Sequence, residues 1–181
     1  MLASGCAAPP AVTASAPAPT TAVQDRAERV AEALLMADRA ERASDKAGLA
    51  MAALRLERLG PKPQTEADAA MMGRWLASLP AGTPPMRGRA LGPAYRSGAL
   101  QPGAVTHLNQ TFLGGRSAQI VLRVSRGPTP RLVVRDQSDQ QVCEADDDPV
   151  KCRWVPLYTQ RHSIEIVNAG SGMSEFYIVF D

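Results

Sequence analysis

Apolar positions fall three and four residues apart in the first half of the chain and two apart in the second, so helices are expected before strands. Val23, Ala27, Val30, Ala31, Leu34 and Leu35 recur at helical spacing, with Asp25, Arg26, Glu28, Arg29 and Glu32 mostly on the other side. The stretch "TAVQ" fits a capping box in which Thr21 and Gln24 satisfy free backbone donors, which predicts a helix from residue 22 to about Glu41. A second helix is expected from Asp45 to Leu59, capped by Ser44 and stopped by Gly60 and Pro61, with Leu49, Ala52, Ala53, Leu56 and Leu59 buried. A third opens at Thr65, where Asp68 completes the capping pattern, and carries Met71, Met72, Trp75, Leu76 and Leu79 to Pro80. Residues 22–80 thus read as a helical hairpin plus one helix, with balanced charge on solvated faces around a small apolar seam. A peptide-binding helical repeat is the sharper alternative, but its Trp, Gly and Tyr spacing is absent and one helix pair is too few.

Residues 81–97 are rich in Pro and Gly, carry Arg87, Arg89 and Arg96, and read as a linker. Beyond them Ile120, Leu122 and Val124 alternate with Val121, Arg123 and Ser125, and Leu132 and Val134, Ile164 and Ile166, then Phe176, Ile178 and Phe180 follow at a period of two. With "AVTHLNQTF", "QQVCE" and "KCRWV" these make about seven short strands parted by turns such as "LGGR", "RGPTP", "DDDP" and "AGSG". The expected class is α+β: a short helical segment, then an antiparallel β-sandwich over residues 98–181 able to fold alone.

Composition narrows the function. Aromatic residues are only 4% of the 181, so the core must be largely aliphatic, and a net charge of +2 without a basic stripe argues against nucleic acid as a partner. No run reaches the ~18 apolar residues that a membrane-spanning helix needs. Near the start, "LASGCAAPP" resembles the lipobox of bacterial lipoproteins. The resemblance implies that Cys6 is acylated and that residues 1–21 comprise the lipobox and a Pro/Ala tether. The membrane is then a partner through the lipid anchor, on the periplasmic side of a Gram-negative envelope. Ala7 after the cysteine gives no acidic retention signal, which mildly favours the outer membrane.

"FLGGRSAQIVLRVS", "RLVVRDQSDQQVCE", "CRWVPLYTQRHSIEIVNAG" and the closing "EFYIVFD" together resemble the bacterial pre-peptidase C-terminal domain over roughly residues 98–181. Asp136 after a hydrophobic strand, Trp154 and Pro156 on the next, and Ile164 to Asn168 before a terminal aromatic strand carry the likeness. It implies a jelly-roll-like sandwich, usually a non-catalytic accessory of secreted enzymes. Some members bind calcium through loop acids; here Pro130 and Arg131 stand where the family's acidic residue opens the "RLVV" strand.

The stretch "VCEADDDPVKCRW" sets Cys143 and Cys152 on two strands around an acidic turn. Zinc would need two more ligands at short spacing, and a redox pair would need Cys-x-x-Cys. A structural disulfide is therefore expected for an exported chain, contributing roughly 2.5–3 kcal/mol for so short a loop. Asp136, Asp139, Asp146 and Asp148 supply oxygen ligands of the kind calcium takes, with a solvated acidic turn as the plainer reading; no other cofactor is expected. Arg116, Arg123, Arg126, Arg131 and Arg135 are expected to pair with these acids across strands, or else to attract an anionic ligand.

No catalytic motif is present. His162 shares a strand face with Ile164 and Ile166 and reads as a packed, hydrogen-bonded residue. His107 reads as exposed, and Trp154 as a core anchor beside the disulfide. The expected function is a non-catalytic binding or scaffolding module for an envelope protein or glycan, rather than an enzyme. The alternative is an accessory subunit or enzyme with a polar pocket between helices and sandwich, near Arg87, Arg89, Tyr95 and His162.

Overall fold

The computed structural model describes residues 25–79 and 92–181; Cys6, the tether, Thr21, Gln24, Arg87 and Arg89 lie outside them. Three helices, α1 (Arg26–Arg42), α2 (Lys46–Leu59) and α3 (Glu66–Leu76), cover one side of a two-sheet sandwich. Among the described residues the strands are β1 (Lys62–Pro63), β2 (Ala94–Leu100), β3 (Val105–Phe112), β4 (Ala118–Arg126), β5 (Arg131–Arg135), β6 (Gln141–Ala145), β7 (Val150–Trp154), β8 (Gln160–Val167) and β9 (Ser174–Phe180). A middle sheet, in the order β1-β2-β9-β4-β7, lies between the helices and an open sheet in the order β3-β8-β5-β6. Apart from β1, which joins β2 in parallel, the pairings are antiparallel. The eight-strand arrangement is a jelly roll, with the chain passing repeatedly from one sheet to the other.

The layering explains a feature of the sequence. The middle sheet is buried on both faces: Ile120, Leu122, Ile178 and Phe180 enter the core between the sheets, while Val121, Tyr177 and Val179 enter the core under the helices. Strands β4 and β9 therefore carry near-continuous apolar runs, whereas the open sheet alternates because its outer face meets water. Helix α1 is likewise buried on two sides, between α2 and the middle sheet, through Ala27, Val30, Ala31, Leu34 and Ala37.

Five expectations change. Helix α1 begins at Arg26 after an extended Asp25, rather than at residue 22. The linker over 81–97 gives way at Ala94 to strand β2, whose Tyr95 and Ser97 face the helices. Gly98 hides that strand from a pattern search, and its presence has a cause: a Cβ there would stand 2.5 Å from the Phe176 ring. Asp45, not Ser44, caps α2, accepting from the Gly48 N–H at 2.9 Å, and Ser44 takes a left-handed φ of 54°. Helix α3 ends at Leu76 rather than near Pro80. The charges of α1 are not merely solvated, because Glu28 pairs with Lys151 at 2.8 Å, Glu32 with Arg123 at 3.2 Å and Asp25 with Arg153. Helix and sheet are thereby joined by ion pairs around the rim of their shared core. The cap of α3 is as expected, with the Thr65 hydroxyl accepting from the Asp68 N–H at 3.1 Å.

Candidate functional site

Cys143 of β6 and Cys152 of β7 form a disulfide with their Cα atoms 5.8 Å apart. Because β6 is the edge of the open sheet and β7 the edge of the middle sheet, the bridge staples two sheets rather than two neighbours in one ladder. The acids around it do not converge. Asp136 and Asp139 sit in the β5–β6 turn and Asp146 and Asp148 in the β6–β7 turn, which the five residues of β6 hold about 16 Å apart. One oxygen of Asp136 already accepts from the N–H groups of Ser138 and Gln140, at 2.8 and 2.9 Å. Asp139 lies 3.9 Å from Arg135, and Asp148 lies 3.9 Å from Arg123. The four therefore cannot serve one calcium ion, and no group of three acidic, His or Cys side chains among the described residues forms a metal set. The basic residues pair with these acids in part as expected, Arg131 with Glu144 at 3.1 Å, Arg135 with Asp139 and Arg123 with Asp148, while Arg123 also reaches across to Glu32 of helix α1 and Arg126 turns to Glu175 at 4.0 Å.

Tyr95 and His162 fall on opposite sides of the middle sheet, so no single pocket holds both. The Tyr95 hydroxyl donates to the Asp68 carbonyl under the helices, and burial, reinforced by the Asp68 charge, pushes its pKa up. On the helix side the residues that do meet are ones the sequence gave no local sign of: Asp38, Arg42, Glu175 and Tyr177. Arg42 donates to Asp38 at 2.9 Å and to Glu175 at 2.6 Å, and the Tyr177 hydroxyl donates to Asp38 at 3.1 Å. The hydrogen bond to Asp38 holds the Arg42 guanidinium still more firmly protonated, and burial pushes the Tyr177 hydroxyl well above the usual range. A cleft of about 410 Å³ opens beside this cluster. Its charged groups satisfy one another and dock α1 on β9, and the two serines that line it are hydrogen-bonded, Ser97 to Asp68 and Ser125 to the Glu175 carbonyl.

The end of the sandwich formed by the β3–β4 and β7–β8 loops is different. The Gly115 N–H donates to the Pro156 carbonyl at 2.8 Å and the Gly114 N–H to the Thr159 hydroxyl at 3.0 Å, so the two loops form one surface. Only glycine suits both positions: Gly115 has φ +71°, and a Cβ on Gly114 would lie 2.8 Å from the backbone of Tyr158. On this surface Leu113, Val155, Leu157 and Tyr158 are 53%, 59%, 84% and 74% exposed. Beneath it Trp154 packs edge-on against Phe112 at 4.8 Å and donates its indole N–H to Nε2 of the buried His162 at 3.2 Å. Nδ1 of His162 faces the Gln160 carbonyl at 3.3 Å, so the expected packed role of His162 holds, and Trp154 anchors the base of the loop. Arg116 and Arg161 flank the patch, both exposed and neither paired with an acid among the described residues. A cleft of about 390 Å³ runs beside it, lined by Phe112, Leu113, Arg116, Phe180 and Asp181. Sequence reasoning passed over these residues because "LGGR" read as a turn and "KCRWV" with Pro156 as strand, whereas β7 ends at Trp154; the signal was Leu157 and Tyr158 beyond Pro156, large apolar residues where a turn ordinarily carries polar ones.

No family model and no curated protein matches the chain. Among solved structures it is similar in part to the pre-peptidase C-terminal domain of a collagenase from Bacillus anthracis, with 11% identity over 48% of this chain and 87% of that one and a TM-score of 0.43. It is similar also to PliG, a periplasmic inhibitor of g-type lysozyme from Aeromonas hydrophila, with 11% identity over 49% of this chain and 84% of that one and a TM-score of 0.40. A mitogen from Yersinia pseudotuberculosis shows 16% identity over 49% of this chain and 84% of that one, with a TM-score of 0.42.

Proposed function

We propose that this protein is a non-catalytic, protein-binding module of the bacterial envelope, tethered through an acylated Cys6 and docking by its loop end. The observation that carries the reading is the patch of Leu113, Val155, Leu157 and Tyr158 on two loops locked together by hydrogen bonds. Fixed loops that expose an aromatic and three aliphatic side chains meet the requirement for interface anchors, since little further ordering is needed on binding. The unpaired Arg116 and Arg161 at the rim call for a partner with an apolar recess bordered by carboxylates. Support for an exported compartment comes from the disulfide, which cytosolic thiols would not sustain. Support for the anchor comes from "LASGCAAPP", and two or more acyl chains hold a protein stably on a membrane. Among the described residues no helix is long and apolar enough to cross one.

A photo-crosslinking residue placed at Leu157 in cells, compared with one at Glu165 on the open sheet, tests the reading. One protein should be captured from position 157 alone, and the purified pair should bind about tenfold more weakly with Leu157→Asp or Tyr158→Ala. Equal capture from both positions, or affinity indifferent to both variants, would overturn it.

A further inference from the structure

Edge strands expose unpaired backbone groups, and proteins ordinarily blunt them. Three of the four sheet edges here are blunted. Strand β1 is two residues long and contains Pro63. Strand β6 has five residues, a register shift against β5 and the disulfide. Strand β7 is tied to α1 through Lys151 and Arg153. Strand β3 has only a single neutral side-chain tie, from Gln64 to Gln110. It runs for eight residues, "VTHLNQTF", without Pro, Gly or Lys, and its pairing with β8 is unbroken from Val105 to Phe112.

The ladder shows which groups are open. The Asn168 N–H donates to the Ala104 carbonyl, which directs the backbone groups of residues 106, 108, 110 and 112 toward β8. The N–H and C=O groups of Val105, His107, Asn109 and Thr111 then point away from the sheet, with no backbone partner among the described residues. Alongside them lies a cleft of about 160 Å³ between β2 and β3, with Leu100, Leu108 and Phe176 as its apolar wall and Thr106 and Arg96 at its mouth. Gly98 lets the backbone of β2 lie close over the buried Phe176 ring, so that Leu108 is the more open apolar side chain of the wall. Arg96 is exposed and has no acidic partner among the described residues.

We infer that β3 is a docking edge for one extended peptide segment of a partner protein, which adds as a fifth strand to the open sheet. The juxtaposition selects the chemistry: an alternating segment with apolar side chains toward Leu108 and Phe176 and a carboxylate toward Arg96. The middle sheet selects a lone strand over a second copy of this chain. Strand β1 extends that sheet by one position beyond β2, directly across from the vacant position beside β3, and Gln64 after it reaches Gln110 at 3.0 Å. A second copy would bring its own β2 into the space that β1 fills; a single strand leaves that space alone. The inference does not depend on the loop-end patch.

The test uses the full chain and fluorescein-labelled nine-residue peptides of alternating Thr and Val, with Glu, Gln or Lys at one central position and a Glu peptide N-methylated on alternate amides. Anisotropy should show the Glu peptide binding about tenfold more tightly than the Lys peptide and no binding once the amides are methylated. Arg96→Gln should erase the preference for Glu. Asn109→Pro removes only an outward N–H and should weaken binding about tenfold, while Leu157→Asp leaves it unchanged. The methylated peptide keeps the test decisive even where the proline variant fails to fold. Absence of binding by every peptide, indifference to methylation, or a dimer in sedimentation that Asn109→Pro dissolves would each overturn the inference, the last by placing a second copy on the edge.

Discussion

Tyr177 shows how much one buried hydroxyl holds. It lies under the helices, donates to Asp38 at 3.1 Å and keeps its proton well past the usual 10.0, chiefly through burial and then through the Asp38 charge. A pKa raised in the folded state contributes stability that is complete below the unfolded value and declines as pH rises above it. Urea midpoints should therefore fall between pH ~8 and pH ~10.5, with Tyr95 acting in the same direction. Tyr177→Phe should cost about 1 kcal/mol at the lower pH and flatten the alkaline decline; an unchanged slope would remove Tyr177 from the account. None of this was visible in the sequence, because Tyr177 and Asp38 are 139 residues apart and only the docking of α1 on β9 joins them. His162 was legible for the opposite reason: alternation along one strand placed it with Ile164 and Ile166, and its partner Trp154 lies only eight residues away. Asn168 was quoted in sequence as part of a strand, yet it is fully buried and donates to the carbonyls of Leu100, Gln101 and Gly172, joining two loops at the far end of the sandwich.

Among the elements, periodicity recovered the three helices and strands β3 to β9. It missed β1 and β2, where Pro63 and Gly98 break the pattern for reasons that lie in other elements: β1 is an edge, and Gly98 makes room for Phe176. The disulfide was expected from spacing, but not its place across two sheets, since spacing along the chain is blind to which sheet a strand joins. That place matters for stability. Cys143→Ala with Cys152→Ala should lower unfolding free energy by about 2–4 kcal/mol, read by calorimetry against the oxidised wild type. A change under about 0.5 kcal/mol would mean that the β6–β7 edge holds without its staple.

For the whole molecule, helices and sandwich share one core: Leu34, Ala37, Leu56 and Trp75 pack with Tyr95, Val121, Tyr177 and Val179. The isolated segment 98–181, expected from sequence to fold alone, would lose most of β2 and bare that apolar face. It should precipitate or form higher oligomers in sedimentation, whereas a fragment from residue 22 onward stays monomeric. A well-dispersed NMR spectrum from monomeric 98–181 would contradict the shared core. The sequence by itself determined the three helices, strands β3 to β9, the Thr65 cap of α3, the order of helices before strands and the cysteine pair, because these rest on interactions between residues near one another in the chain. Tertiary structure alone decided which strands joined which sheet, that the middle sheet is dry on both faces, that the calcium candidates are parted and that four loop side chains share one surface. Those outcomes depend on contacts between segments far apart, where burial and packing rather than local preference set the arrangement.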